Sequence, residues 1–243
     1  FDVVVYAAGT TVPATSGSNI AVELETNLLP AMKIFQAVAD AGVGKIIYFS
    51  SGGMLYDPQG RSPFEETSKI GPKTAYGFGK QACEAAIEFI HRTTKIDVIV
   101  VRPSNPYGPH QDPYGKQGVI PIWIRQILLD QDIVLYGQNI SKDFLYVSDF
   151  ASAIRALVLR DTPWGVFNVG SGCETRLVDV LALIENTLGK KARLVIKNSR
   201  QIDNFHNALN CEYIYKEVGW APVVSLADGI RHTADYVRNK IRV

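Results

Sequence analysis

The stretch Tyr76-Gly77-Phe78-Gly79-Lys80 places a phenol and an ammonium group four residues apart. It opens a segment, residues 74–92, that is expected to be helical, and positions i and i+4 share one face of a helix. The ordinary pKa of tyrosine is about 10, and lowering it by about three units requires about 4 kcal/mol. A cation about 4 Å away supplies about that amount at an effective dielectric near 20. The spacing alone fits a solvated pair on a surface helix, and it also fits a pair in which Lys80 lowers the pKa of Tyr76 so that Tyr76 acts as a general base.

Composition excludes several classes of function. The 243 residues are 47% hydrophobic, enough for a large core, and the formal net charge is +1. Such a charge gives no reason to expect nucleic acid or an anionic membrane surface as a partner. No apolar run approaches the roughly 20 residues that a membrane-spanning helix needs. The three cysteines form no C-x-x-C pair and the four histidines show no metal-ligand spacing, so we expect a cytoplasmic protein without a metal site.

Short runs rich in Val and Ile alternate with segments of helix length. The alternation is typical of an α/β fold, in which helices wrap a parallel sheet. Pro30 falls inside the first helical segment, where a kink or break is expected. Strands are predicted at residues 2–6, 45–49 and 97–101, and helices at residues 21–41, 75–92, 120–129, 148–160, 177–188, 212–218 and 226–240.

The order of the motifs carries a family resemblance. The three predicted strands run into Ala7-Ala8-Gly9, Ser50-Ser51-Gly52-Gly53 and Arg102-Pro103-Ser104-Asn105-Pro106-Tyr107-Gly108-Pro109, and further motifs lie at residues 142–149, 167–172 and 218–222. With Tyr76-x-x-x-Lys80 between them, the chain resembles the extended short-chain dehydrogenase/reductase family, and within it the NAD-dependent nucleotide-sugar epimerases and dehydratases of the UDP-galactose 4-epimerase type. The resemblance implies a Rossmann-type, doubly wound parallel sheet with a smaller C-terminal substrate-binding lobe.

Members of that family open with a strand, a Gly-x-x-Gly-x-x-Gly turn and a helix that together hold the dinucleotide pyrophosphate. This chain shows no such opening and starts at what resembles the fourth strand, so roughly sixty residues of a typical member are expected to precede it. The strand at residues 2–6 should then have one open edge. The resemblance assigns residues 1–103 plus 144–170 to an NAD-binding part and residues 104–143 plus 171–243 to a nucleotide-sugar-binding part.

The resemblance makes Tyr76 the general base and acid, while Lys80 holds the nicotinamide ribose. The usual third member is a Ser or Thr that hydrogen-bonds the reacting sugar oxygen and the phenol. Counting from Tyr56, that position is Gly52, and Ser51 is either its substitute or a plain turn residue. One lost hydrogen bond to a charged group costs about 1.5 to 3 kcal/mol. We therefore expect a slowed or rearranged site, in which Gly52→Ser raises turnover several-fold.

Two sets of binding residues follow from the resemblance. The free N–H groups of the helix that begins near Val119 suit a phosphate or a uracil carbonyl. Side-chain size at Asn207 would decide whether an N-acetyl group fits. The residues expected to bind NAD are Ala7, Ala8, Gly9, Asn27, Ser50, Tyr76, Lys80 and Pro103. Those expected to bind the nucleotide sugar are Asn105, Val119, Ile120, Lys142, Arg200, Asp203 and Asn207.

The resemblance implies a UDP-hexose 4-epimerase that acts through a transient 4-keto sugar, forms a homodimer through the helix at residues 75–92 and serves polysaccharide synthesis. Two alternatives stay open. One is another nucleotide-sugar enzyme, a reductase, decarboxylase or dehydratase, although Gly53-Met54 lacks the Asp-Glu pair usual in dehydratases. The other is a non-catalytic regulator that binds NAD or a nucleotide sugar, which Gly52 and the absent glycine turn suggest.

Overall fold

The structure is a computed structural model that describes residues 1–12, 16, 19–137, 139–198 and 206–241. The strands are β1 (Val3–Tyr6), β2 (Lys45–Phe49), β3 (Asp97–Pro103), β4 (Asn105–Tyr107), β5 (Asp132–Tyr136), β6 (Ser141–Tyr146), β7 (Trp164–Val169), β8 (Glu174–Arg176) and β9 (Arg193–Lys197). The helices are α1 (Ile20–Glu23), α2 (Leu29–Asp40), α3 (Gly52–Leu55), α4 (Ala75–Thr94), α5 (Val119–Leu128), α6 (Val147–Val158), α7 (Leu177–Leu188), α8 (Glu212–Val218) and α9 (Leu226–Lys240).

The main sheet is parallel throughout and has the strand order β1-β2-β3-β7. Successive residues of a strand point to opposite sides of the sheet. Because these strands are nearly continuous apolar runs, both faces of the sheet are apolar. Phe35 of α2 and Ile87 of α4 pack on one face, while Leu157 of α6 and Ile214 of α8 pack on the other. The sheet is therefore sandwiched between helices, as the α/β prediction requires. Within the described residues β1 pairs only with β2, so its other edge is open, as expected.

The remaining strands belong to a second part of the molecule. They form a sheet of order β4-β6-β8 and a parallel pair of β5 and β9. Helices α5, α7 and α9 pack with these strands around a separate apolar core that includes Trp123, Ile184 and Ile230. Sequence patterns predicted these helices but none of these short strands.

The irregularity expected at Pro30 is confirmed. A π-helical segment, Leu24–Leu28, separates α1 from α2, and Pro30 lies in the first turn of α2. Proline cannot donate the i to i−4 hydrogen bond of an α-helix, which accounts for the irregular segment just before it. No helix within the described ranges combines the length and the apolar character that crossing a bilayer requires.

Gly52 opens α3 in a place where no side chain fits. Ser51 before it is extended, with φ −155° and ψ 116°. A Cβ on Gly52 would lie 2.6 Å from Cδ1 of the buried Leu209 and 3.1 Å from the carbonyl oxygen of Pro103. The close approach of β3 and residue 209 therefore explains the glycine, and we expect Gly52→Ser to cost stability. The gain in turnover expected from Gly52→Ser stays a prediction.

We predict that Gly52→Ser lowers the free energy of unfolding by about 1–3 kcal/mol, because the added atoms overpack a filled site. Urea denaturation measures the loss. Gly53→Ala is the matched control, since a Cβ there meets no atom nearer than Asn207 Nδ2 at 3.8 Å. Equal stability of Gly52→Ser and Gly53→Ala would contradict the packing argument.

Candidate active site

A cleft of about 250 Å³ opens at the carboxyl ends of β1, β2 and β3. We call it the first cleft. Parallel strands present their carboxyl ends at one edge of the sheet, where α/β proteins bind ligands. The structure brings together at this cleft all the residues that were assigned to NAD, namely Ala7, Ala8, Gly9, Asn27, Ser50, Tyr76, Lys80 and Pro103.

The Ser51 side chain lies close enough to the Tyr76 phenol to lower its pKa. Ser51 ends the segment that follows β2, and Tyr76 lies in the first turn of α4, whose start is capped by Thr74 Oγ1 accepting from Gly77 N at 3.1 Å. The pKa of Tyr76 is raised to about 12, chiefly by burial; the neighbouring Ser51 side chain lowers it and the negative charge of Glu23 raises it. Ser51 thus stands where a hydroxyl at Gly52 was expected.

The low pKa predicted for Tyr76 is not found, because its pKa is raised, and Lys80 is not among the groups that shift it. The Lys80 ammonium donates a hydrogen bond to the Phe49 carbonyl at 2.8 Å and lies 5.7 Å from the centre of the Tyr76 ring. The shared helix face therefore brings the ammonium over the ring, and the burial of the phenol decides the sign of its shift. Burial lowers the pKa of Lys80 itself, against the charges of Cys83, Glu23 and Glu84, which raise it.

The carboxylate of Glu23, in the first cleft, was not predicted from the sequence. Glu23 is only 2% exposed, and its oxygens accept hydrogen bonds from Thr11 Oγ1 at 2.7 Å and from Asn27 Nδ2 at 3.0 Å. Asn27 Oδ1 in turn accepts from Thr10 N at 2.8 Å, so Asn27 ties the segment after β1 to the helical run. The i, i+4 spacing of Glu23 and Asn27 was the available signal for this contact.

The chemistry of the first cleft fits a dinucleotide. The Ser50 hydroxyl is buried and has no hydrogen-bond partner in the part of the chain that is described. An ammonium carries three donors, and the only hydrogen bond found for Lys80 among the described residues is the one to Phe49. The residues after β1, Ala7-Ala8-Gly9, are small and exposed, so a ligand can approach the backbone closely. Among the residues that the structure describes, no group of His, Cys, Asp and Glu could hold a metal ion.

A second cleft, of about 430 Å³, lies between the β4-β6-β8 sheet and α5. Asn105, Val119 and Lys142 line it, as predicted for the nucleotide sugar. Asn105 Nδ2 donates a hydrogen bond to the Asp143 carbonyl at 2.8 Å, which ties β4 to β6. Ile120 does not line this cleft, because its side chain is fully buried in the core of the second part.

Asn207 lies near the turn at residues 50–53 that follows β2. It is buried, and its Nδ2 donates to the Gly53 carbonyl at 2.6 Å. The buried carboxylate of Asp143 holds this segment by accepting from Leu209 N at 3.3 Å, while it also accepts from Ser171 N at 2.8 Å. The two remaining predicted substrate residues, Arg200 and Asp203, lie outside the described residues.

Comparisons with known proteins agree with this geometry. Residues 1–170 match the NAD dependent epimerase/dehydratase family. The dTDP-4-dehydro-6-deoxyglucose reductase of Escherichia coli is 33% identical over 98% of this chain and 75% of its own length. The UDP-glucose 4-epimerase of Mycolicibacterium smegmatis is 30% identical over 88% of this chain and 69% of its own length.

A solved structure shows the same fold. The crystal structure of a UDP-glucose 4-epimerase from Thermotoga maritima, obtained with UDP-glucose, matches with a TM-score of 0.95 at 29% identity, over 99% of this chain and 78% of that one. The Rossmann-type fold, the enzyme class and NAD as cofactor, all expected from the resemblance, are thereby confirmed. The chain belongs to the NAD dependent epimerase/dehydratase family.

Proposed function

We propose that the protein is a UDP-hexose 4-epimerase that acts through a transient 4-keto sugar. The observation that carries the proposal is the placement of Tyr76 and Lys80 at the first cleft, with the Ser51 side chain near the Tyr76 phenol. Proton transfer at a sugar hydroxyl needs a group that can both take and return a proton at one position. A tyrosine that is held by a serine meets that need.

In the proposed reaction Tyr76 Oη takes the proton of the sugar 4-hydroxyl and later returns it. Ser51 stabilises the phenolate, since its hydrogen bond lowers the pKa of Tyr76. Lys80 and Asn27, with the small residues after β1, would hold the cofactor. Bound NAD supplies the hydride acceptor and donor, and its oxidised form adds a positive charge that favours the phenolate.

The second cleft supports a nucleotide diphosphate as the rest of the substrate. Lys142 supplies a cation that suits a diphosphate, and the N–H groups at the start of α5 suit a phosphate or a carbonyl. The segment at residues 103–106 lines both clefts, with Pro103 and Pro106 in the first and Asn105 in the second. We therefore place the sugar at this junction, with Asn207 near it and with Arg200 and Asp203 at the nucleotide.

The two-part division predicted from the sequence belongs to this proposal, with NAD in the part built on the main sheet and the nucleotide sugar in the other. A cytoplasmic location and a role in polysaccharide synthesis stay predictions. The solved neighbour with UDP-glucose supports UDP as the nucleotide.

The test is turnover of UDP-galactose and UDP-glucose by the purified protein with NAD, followed by proton NMR of the anomeric region. The proposal expects each sugar to convert into the other until one equilibrium mixture forms from both sides, without net reduction of the cofactor. Binding of UDP-glucose without any conversion would instead support the regulatory alternative.

A reductase is the second candidate, because the Escherichia coli relative at 33% identity carries that name. A reductase would consume a reduced nicotinamide cofactor with a 4-keto sugar nucleotide and leave UDP-galactose unchanged. The same preparation, assayed for loss of absorbance at the wavelength of the reduced cofactor, separates the two activities.

We predict that Tyr76→Phe lowers kcat at least about a hundredfold, because general-base catalysis is lost. Its affinity for UDP-glucose, measured by calorimetry, should stay within about threefold of the wild-type value, since the ring remains. Tyr215→Phe is the matched control, an exposed tyrosine on α8 that should keep full activity. A Tyr76→Phe variant that keeps more than half of the wild-type activity would show that Tyr76 is not the general base.

We also propose a homodimer through α4. Phe78 and Phe89 are exposed on this helix, and Ala82 and Ala85 lie on the same face, while the adjacent α2 exposes Met32. Apolar surface of this kind is typical of helix pairing between subunits.

We predict that light scattering at micromolar concentration gives the mass of a dimer and that Phe89→Glu gives a monomer, since a buried carboxylate opposes association. Leu159→Glu is the control, because Leu159 is also an exposed apolar residue but lies at the end of α6. A wild-type monomer would refute the dimer.

A further inference from the structure

Glu23 is a buried carboxylate that the proposed reaction does not use. It ends α1 inside the first cleft, and both of its oxygens accept hydrogen bonds from neutral side chains, Thr11 and Asn27. No ion pair found among the described residues includes it. Burying a carboxylate that makes no direct ion pair is unfavourable, so a neutral residue of the same size would suit the packing better.

The Glu23 side chain lies against the backbone of α4 at Gly79. Gly79 allows this approach, because a Cβ there would lie 2.6 Å from Glu23 Cγ and 2.9 Å from Glu23 Oε1. Gly79 follows Tyr76 by three positions and directly precedes Lys80. The negative charge of Glu23 is therefore held at the helix segment that presents Tyr76 and Lys80.

Few other charges face these two side chains. Tyr76 contacts the Ser51 hydroxyl from the turn, has Lys80 over its ring, and lies near Tyr48 of β2. Lys80 is also near Cys83 and Glu84 of its own helix. Glu23 is the acidic group that acts on both, because it raises the pKa of Tyr76 and that of Lys80. Its charge thus opposes ionisation of the phenol and favours the ammonium.

We propose that Glu23 is a positioning residue whose buried charge sets the pH range in which Tyr76 ionises and keeps Lys80 charged. The proposal rests on the proposed function only for its catalytic consequence. Glu23 touches neither reacting oxygen and acts through Tyr76, which distinguishes it from Ser51.

The direct test is NMR of protein labelled with carbon-13 at the tyrosine Cζ, recorded from pH 7 to pH 11. Tyr76→Phe identifies the Tyr76 signal. With a pKa of about 12, about a tenth of Tyr76 is ionised at pH 11 in the wild-type protein. Glu23→Gln should shift the titration to lower pH, so that a larger fraction is ionised at pH 11. The acid limb of the kcat/KM profile should move to lower pH by the same amount.

Two controls separate charge from packing. Glu25→Gln removes an exposed carboxylate two residues away and should leave the titration unchanged. Thr11→Val removes a hydrogen bond to Glu23 but keeps its charge, and should also titrate as the wild type. Glu23→Met, which fills a similar volume without charge, repeats the test if Glu23→Gln is not recovered folded.

An unchanged Tyr76 titration in both Glu23 variants, or an equal shift in Thr11→Val, would overturn the proposal. The NMR result needs no turnover, so it is separate from the fate of the proposed function. If Glu23→Gln shifts the titration while Tyr76→Phe retains activity, the electrostatic role of Glu23 stands and the epimerase mechanism falls.

Discussion

The close approach of α4 to its neighbours is the constraint on which the site depends. Gly77 and Gly79 make it possible, because a Cβ on Gly77 would lie 2.4 Å from the Met54 carbonyl oxygen and one on Gly79 would meet Glu23. With no side chains at these two positions, α4 packs directly on the α3 turn and on α1. That packing is what brings the Tyr76 hydroxyl to Ser51 and the Lys80 ammonium to the Phe49 carbonyl.

The parallel sheet supplies the other half of the arrangement. The register of β1, β2 and β3 ends all three strands at one edge, so their terminal residues surround a single cleft. The chain then passes through residues 103–106 into the second part, where α5 and the β4-β6-β8 sheet enclose the second cleft. One short segment therefore joins a site suited to a dinucleotide with a site suited to a sugar nucleotide.

The sequence predicted those features that local pattern controls. Buried strands of a parallel sheet are continuous apolar runs, so β1, β2 and β3 could be predicted from the sequence. The longer helices could be predicted as well. The short strands β4 and β8 carry no such pattern, whereas β5 and β9 each contain a three-residue apolar run that was not predicted as a strand. Contacts between distant segments could not be predicted: the crowding of Gly52 by Leu209 and the burial that raises the pKa of Tyr76 both depend on residues far apart in the sequence. Spacing along a helix fixes a shared face but not where a long side chain ends.

The central claim is that Ser51 and Tyr76 act as one unit. A double-mutant cycle in kcat/KM for UDP-galactose, with Ser51→Ala, Tyr76→Phe and the combined variant, tests it most directly. Ser51→Ala alone should cost about ten- to a hundredfold, since one hydrogen bond to the developing charge is lost. The combined variant should be no slower than Tyr76→Phe, within about threefold, because Ser51 has no phenolate left to stabilise. If the two losses multiply, Ser51 acts independently of Tyr76 and the account of the site is wrong.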